Sequence, residues 1–202
     1  MAAWALVFFV IYLALAFGLR TAVQLQRTGS SGFHGISGAR GSAEWFGGVL
    51  FVVALVIGFA APLLDLTGVV EPVGALDGEI GNAAGVGLSL GGLLTTLRAQ
   101  FGMGESWRIG VDESERTSLV TDGPFSIVRN PIFTAMMLTS AGLVLLVPSV
   151  VALVGFLLLV VAIELQVRSV EEPYLRRTHG KAFTDYAGRV GRFLPGLGRL
   201  RS

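Results

Sequence analysis

Residues 130–163 read NPIFTAMMLTSAGLVLLVPSVVALVGFLLLVVAI, a run of 34 residues without a charged side chain. One helix of that length would measure about 50 Å, whereas the hydrocarbon core of a bilayer is about 30 Å thick. Pro148-Ser149, near the middle of the run, favours a turn. The run therefore predicts a hairpin of two membrane-spanning helices, the second of which continues past Glu164.

The composition supports a membrane protein. Apolar residues make up 52% of the chain and charged residues only 14%, compared with about 25% charged residues in a typical soluble domain. The chain has no cysteine, which excludes disulfides, thiolate nucleophiles and cysteine-ligated metal. Its two histidines, His34 and His179, are far apart in sequence, so we expect no metal centre. We also expect no nucleic-acid partner.

Three further stretches are long and apolar enough to cross a bilayer: Ala2–Leu19, Trp45–Leu64 and Ile80–Leu97. Together with the hairpin they predict five spans. The third stretch is rich in glycine, and small residues four positions apart permit close helix contact in lipid. The glycine pairs with this spacing are Gly81 with Gly85 and Gly87 with Gly91.

Charge is segregated along the chain. All fifteen basic residues fall in segments 20–43, 98–129 and 168–201, whereas residues 65–79 contain four acidic residues and no basic one. Under the positive-inside rule the three basic segments are cytoplasmic and the acidic loop is outside. We therefore predict a multi-pass protein with its N-terminus outside and its active site on the cytoplasmic side.

The expected fold is an all-α polytopic membrane bundle of about five transmembrane helices with a cytoplasmic amphipathic helix at its C-terminal end. Val170–Gly188 mixes aromatic and charged residues. It is predicted either to lie on the membrane surface or to close over the loop before span four. Residues 1–98 form a three-span region and residues 99–202 a cofactor-binding region, in one integrated domain.

The end of the last span carries four charged residues, Glu164, Arg168, Glu171 and Glu172, whose spacing places them on one helix face. Such a row of charges is either a solvated surface whose residues pair with one another or a set of functional residues that face the bundle interior. In the second case the glutamates suit a cationic or hydroxyl-rich ligand, and Arg168 suits a carboxylate.

Several short motifs occur in a fixed order along the second half of the chain. They are Met103-Gly-Glu-Ser-Trp-Arg108, Leu119-Val-Thr-Asp-Gly-Pro-Phe125, Arg129-Asn-Pro-Ile-Phe133, the apolar hairpin, Glu171-Glu-Pro-Tyr-Leu175, His179-Gly180, Phe183, Tyr186 and Leu194-Pro195. This ordered set resembles the isoprenylcysteine carboxyl methyltransferase family, whose wider group includes membrane phospholipid methyltransferases. The resemblance covers residues 93–196.

The resemblance implies a membrane methyltransferase that uses S-adenosyl-L-methionine on the cytosolic side. Its acceptor would be a lipophilic small molecule or a prenylated protein that enters from the membrane lipid. By position, the resemblance makes Arg168 the catalytic residue, which would bind the carboxylate of the acceptor. It assigns the cofactor to Thr117, Ser118, Leu119, Val120, Phe125, Asn130, Pro131, Ile132, Phe133, Glu171 and Glu172.

The chain departs from the family pattern at three positions of the expected pocket. Asn130 replaces a histidine, and Phe125 and Phe133 replace tyrosines. Asn130 keeps donor and acceptor capacity but cannot titrate, which excludes a general-base role there. A carboxylate acceptor needs no base, because it is already ionised near neutral pH. The chemistry most compatible with this chain is therefore carboxyl O-methylation of an isoprenoid or lipid-like acceptor.

The sequence is also compatible with other assignments. Arg108 or Arg129 would orient the acceptor if Arg168 does not. A membrane reductase acting on a sterol or other isoprenoid has a related C-terminal pattern, although this chain lacks the glycine-rich fingerprint of a nicotinamide site. A non-catalytic binding or transport bundle is the third reading. A transport bundle usually has an ionisable group near the middle of the bilayer or a pair of broken helices.

Overall fold

The computed structural model describes residues 1–32, 35–36, 38–107 and 118–200. Within them it forms helices and turns, and no strand. The helices are α1 (Ala2–Thr28), α2 (Ala43–Leu66), α3 (Glu79–Gly102), α4 (Pro131–Leu146), α5 (Val150–His179) and α6 (Lys181–Arg189). Four of them, α1, α2, α3 and α5, are long and apolar enough to cross a membrane. The predicted all-α membrane bundle is confirmed.

The uncharged run forms the predicted pair of helices joined by a turn, but the first of them is not among the four helices long enough to cross a membrane, so the fifth span stays a prediction. Helix α4 has 16 residues, about 24 Å, and is shorter than the other apolar helices. The chain turns at residues 147–149, where the Ser149 hydroxyl accepts a hydrogen bond from the Ala152 amide at 3.2 Å and caps α5. The Val73 amide donates to the Pro148 carbonyl. The acidic loop therefore lies at the same end of the bundle as the hairpin turn.

A ladder of buried polar contacts joins α1 to α3. The Tyr12 hydroxyl lies 3.2 Å from the Thr96 hydroxyl, the Gln100 amide donates to the Ala16 carbonyl at 2.8 Å, and Arg20 donates to the Gly104 carbonyl just beyond α3. Each contact joins residues 84 positions apart, and a constant separation means that the two helices run parallel. Hydrogen bonds of this kind attach helices to one another in lipid.

Close packing of α3 against α4 depends on small residues, but not on all those that the spacing indicated. A Cβ atom at Gly85 would lie 2.8 Å from the Gly142 carbonyl, and one at Gly142 would lie 2.6 Å from the Gly85 carbonyl. A Cβ at Gly92 would meet Ala135 and Thr139 of α4. The expectation for Gly85 is therefore confirmed.

The expectation for the other predicted glycines is wrong. Among the described residues nothing lies within 4 Å of a Cβ built at Gly87 or Gly91, and one built at Gly81 would meet Leu76 of its own preceding loop and no other. Positions 85 and 92 are seven residues apart and share a face of α3, whereas 87 and 91 project from other faces. The four-residue spacing therefore identified a glycine-rich helix without identifying its contact face.

The C-terminal segment closes over the loop before α4, the second of the two predicted arrangements. The amphipathic part is continuous with the last span to His179, and the break comes at Gly180, whose φ of +51° favours glycine. Helix α6 then packs Phe183, only 1% exposed, against the loop residue Leu119. The Tyr186 hydroxyl donates to the Phe125 carbonyl at 2.6 Å.

Candidate active site

A cavity of about 490 Å³ opens at the end of the bundle opposite the acidic loop. Its walls come from the cavity-side ends of α1, α2, α3, α4 and α5, from the loop before α4 and from α6. Most of the wall is apolar, with polar groups at a few positions. A concave, largely apolar space of this size suits a small-molecule ligand.

The structure brings nearly all of the predicted cofactor residues to this one cavity. Those that line it are Ser118, Leu119, Val120, Phe125, Asn130, Pro131, Ile132, Phe133, Glu171 and Glu172. Thr117 lies outside the described residues, as does Arg108. Arg168 does not line the cavity: its side chain is 58% exposed and is paired with Glu164 one turn earlier.

Glu172 is the centre of a buried ion-pair network. It is 7% exposed and accepts a hydrogen bond from the Arg129 guanidinium at 2.6 Å. Arg192 donates to both carboxylate oxygens, at 2.7 and 2.9 Å. These hydrogen bonds raise the pKa of Arg192 further, so its guanidinium stays charged. Buried charges are stable only when they are paired in this way.

Arg129 also attaches the C-terminal tail, residues 190–200, and the end of α6 to the loop before α4. Its guanidinium donates to the carbonyls of Ala187, Val190 and Gly198 at 2.7–3.1 Å. The adjacent backbone adds to this, because Arg129 and Asn130 donate their amides to the carbonyls of Gly191 and Arg192. The two terminal nitrogens of the Arg129 guanidinium are therefore engaged with Glu172, α6 and the tail, whereas its buried Nε has no partner among the described residues.

The side chains around this junction add further attachments. The Asn130 amide nitrogen donates to the Arg192 carbonyl at 3.2 Å, and the Thr134 hydroxyl donates to the Phe193 carbonyl at 2.9 Å. Burial raises the pKa of Tyr186 to about 12, so its hydroxyl stays protonated and can donate to Phe125. Helix α6 closes one side of the cavity with Phe183 and Tyr186, and the tail holds the neighbouring loop from outside the cavity wall.

Comparison with known proteins agrees with this geometry. A model of the phospholipid methyltransferase family matches residues 80–182, about half of the chain. The chain belongs to the phospholipid methyltransferase family. It is thus a membrane methyltransferase, and proteins of this family generally use S-adenosylmethionine. Comparisons with curated proteins and with solved structures found no match.

The family match begins at residue 80 and so leaves out α1 and α2, yet both helices help to form the cavity of this phospholipid methyltransferase family member. Helix α1 contributes Phe17, and α2 contributes Glu44 and Phe51. The sequence did not indicate these residues, because each is an isolated residue in an apolar helix or at its start. Only the packing of α1 and α2 against the matched region shows that they face the site.

Two further wall residues, Gln100 in α3 and Trp107 just beyond it, were not among the predicted site residues. Gln100 is 3% exposed and Trp107 is 3% exposed, and both line the cavity. The Arg20 guanidinium lies 4.5 Å from the centre of the Trp107 ring, within the range of a cation–π contact. Trp107 belonged to a quoted motif, but its partner comes from α1, 87 residues earlier in the chain.

A second, narrow cavity of about 50 Å³ lies among α1, α2, α4 and α5. Leu55 and Met136 line both cavities, so the two spaces adjoin. The narrow cavity is largely apolar, and among its walls are Phe9, Ala54 and Leu159. The large cavity, of about 490 Å³, therefore borders this narrow cavity, which we call the apolar cleft.

Proposed function

We propose that this protein transfers a methyl group from S-adenosylmethionine to a lipid-like acceptor at the membrane surface. The observation that carries the proposal is the single cavity of about 490 Å³ that collects the loop at residues 118–133 and the glutamates at the end of α5. The family match supports methyl transfer independently of this geometry.

The cavity suits the cofactor in size and in charge. Glu171 lines it and is the proposed partner of the cofactor's ammonium group, through a charge-assisted hydrogen bond. Phe125 and Phe133 offer apolar surface, and the backbone of Ser118, Leu119 and Val120 offers polar groups. When bound, S-adenosylmethionine supplies a methyl group on a sulfonium, whose transfer depends chiefly on alignment with the nucleophile.

We assign Glu172 a structural role instead of the direct cofactor binding that the family resemblance implied. Because both of its oxygens accept hydrogen bonds from Arg129 and Arg192, we assign it to the attachment of the tail. The role of Glu172 in cofactor binding is then indirect, through the position of the loop before α4, which the tail contacts. Asn130 and its contact with the Arg192 carbonyl belong to the same attachment.

The apolar cleft supports a lipid-like acceptor. It adjoins the large cavity at Leu55 and Met136 and has a volume of about 50 Å³. Part of an isoprenoid or acyl chain placed there would be surrounded by apolar side chains, while its head group would remain in the large cavity beside the cofactor. A prenylated acceptor of the isoprenylcysteine type satisfies this arrangement, and so does a phospholipid.

The charges of the cavity wall favour an amine acceptor as a second candidate to the predicted carboxylate. Arg129, the cation among the described lining residues, is already paired with Glu172, and Arg168 lies outside the cavity. Glu44 adds a second carboxylate, with no described ion pair, to the wall that contains Glu171. The assignment of the acceptor to Arg168 stays a prediction to which its position lends no support.

Calorimetry of the purified protein with S-adenosylhomocysteine tests the proposal. We expect a saturable heat of binding and a rise in the unfolding temperature, because a ligand that binds only the folded protein stabilises it. Titration with NADPH in parallel addresses the reductase alternative. Absence of any S-adenosylhomocysteine binding would overturn the proposed function, and binding of NADPH in its place would favour the reductase.

A further inference from the structure

Gln100 presents an oxygen without a partner beside the large cavity. Its amide nitrogen donates to the Ala16 carbonyl at 2.8 Å. A carbonyl can only accept hydrogen bonds, so the nitrogen of Gln100 must face Ala16 and the oxygen, Oε1, must point elsewhere. Among the described residues Oε1 has no hydrogen-bond partner, although the side chain is 3% exposed.

A buried acceptor without a donor is costly for a folded protein, and such groups call for an explanation. Gln100 lies in the cavity wall together with Met103 and Trp107. Its amide plane is fixed by α1, because the contact with Ala16 is one rung of the polar ladder between α1 and α3. The oxygen is thus held in place within a residue of the cavity wall.

We propose that Gln100 is a ligand-binding residue whose Oε1 accepts a hydrogen bond from an N–H group of the molecule in the large cavity. This inference rests on the proposed function and adds a residue to that site. The carboxylate of Glu44 also lies in the cavity wall and likewise only accepts hydrogen bonds. It therefore favours a ligand with N–H groups as well. The N–H group belongs either to the amino groups of the cofactor or to an amine head group of the acceptor.

Ser89 provides a contrast within the same helix. Its buried hydroxyl also lacks a partner among the described residues, but it lies at the contact of α3 with α4, close to Gly142, and lines neither cavity. A missing partner is therefore not confined to the cavity wall. Gln100 differs from Ser89 because it lies in the cavity wall, where a bound ligand supplies a donor for its oxygen.

The test compares Gln100→Met with Thr96→Val by calorimetry. Both variants remove a polar contact between α1 and α3, but Thr96 lines neither cavity. The probes are S-adenosylhomocysteine and a short-chain phosphatidylethanolamine. We expect Gln100→Met to weaken binding of one probe about tenfold, the effect of one lost hydrogen bond, and Thr96→Val to leave both affinities unchanged.

The affected probe identifies the source of the N–H group: S-adenosylhomocysteine for the cofactor, phosphatidylethanolamine for the acceptor. Gln100→Glu keeps an oxygen acceptor while losing the donor to Ala16, so it should retain affinity. Equal losses in Gln100→Met and Gln100→Glu would place the effect in the Ala16 contact and overturn the inference.

Wild-type behaviour of Gln100→Met with both probes would overturn it as well, whether or not phosphatidylethanolamine binds. In either case S-adenosylhomocysteine binding by the unmodified protein would leave the proposed function intact. If the unmodified protein does not bind S-adenosylhomocysteine, it is the proposed function that fails.

Discussion

Glu164 and Glu172 lie two turns apart on α5 in opposite surroundings. Glu172 is buried between two arginines, whereas Glu164 forms an exposed pair with Arg168. Removing one partner of a buried ion pair costs about 3–5 kcal/mol, because charge is left unpaired. An exposed pair contributes about 0–1 kcal/mol.

Glu172→Ala is therefore expected to lower the unfolding temperature strongly and to expose the tail to trypsin, with Glu164→Ala as the matched control. Thermal unfolding in detergent and the rate of tail cleavage measure the two effects. Equal behaviour of the two variants would show that the network does not hold the tail.

Glu171, next to the buried glutamate, separates the cofactor assignment from the structural one. Replacing its carboxylate in Glu171→Gln should weaken S-adenosylhomocysteine binding about tenfold to a hundredfold, the value of a charge-assisted hydrogen bond. The fold should be retained, since the amide has nearly the same size. Calorimetry measures the affinity, and Glu164→Gln serves as the control. Unchanged affinity would remove Glu171 from the cofactor site.

The sequence indicated residues that belong to a local motif, whose roles stay predictions, and missed residues whose partners are distant. The loop and the glutamate pair were found because their spacing is visible in the chain. Arg192 was not, since its contact with Glu172 spans 20 residues and depends on how the tail folds back. Gln100 became visible only once the ladder to α1 fixed the direction of its amide.

At the scale of helices, the contact between α3 and α4 depends on two backbones approaching closely. An alanine at Gly92 would push a methyl group against Ala135 and Thr139 of α4. Such overpacking costs about 1–3 kcal/mol.

We expect Gly92→Ala to lower the unfolding temperature, whereas Gly91→Ala, which meets nothing within 4 Å, should be neutral or slightly stabilising. Differential scanning fluorimetry of the pair checks this. Equal unfolding temperatures would mean that the α3–α4 contact tolerates an added methyl group.

Helix type and approximate bounds followed from apolar runs, since lipid permits no unsatisfied backbone and long apolar segments must be helical. Helix faces did not follow, because a helix that is apolar or small all round has no stripe to indicate its partner. Gly87 and Gly91 show the consequence: they share the spacing of contact glycines but lie against open space.

Across the whole molecule, the described parts of the three basic segments and the cavity lie at one end, and the acidic loop lies at the other. The positive-inside rule then predicts a cytoplasmic cavity. Reporter fusions at Gly68, in the acidic loop, and after Ser202 should report opposite sides of the membrane. The parallel course of α1 and α3 agrees with an even number of crossings between their starts. Fusions that report the same side would overturn this topology.

The tail of residues 190–200 is attached to the bundle through guanidinium and amide groups outside the apolar helices. This has a practical meaning for anyone who purifies the protein. Detergent chosen to protect the apolar helices does little for a polar attachment that salt, chaotropes or a protease can reach. Enzymatic activity can then disappear from a preparation whose circular dichroism still shows a full helical content, and ligand added during extraction is the appropriate safeguard.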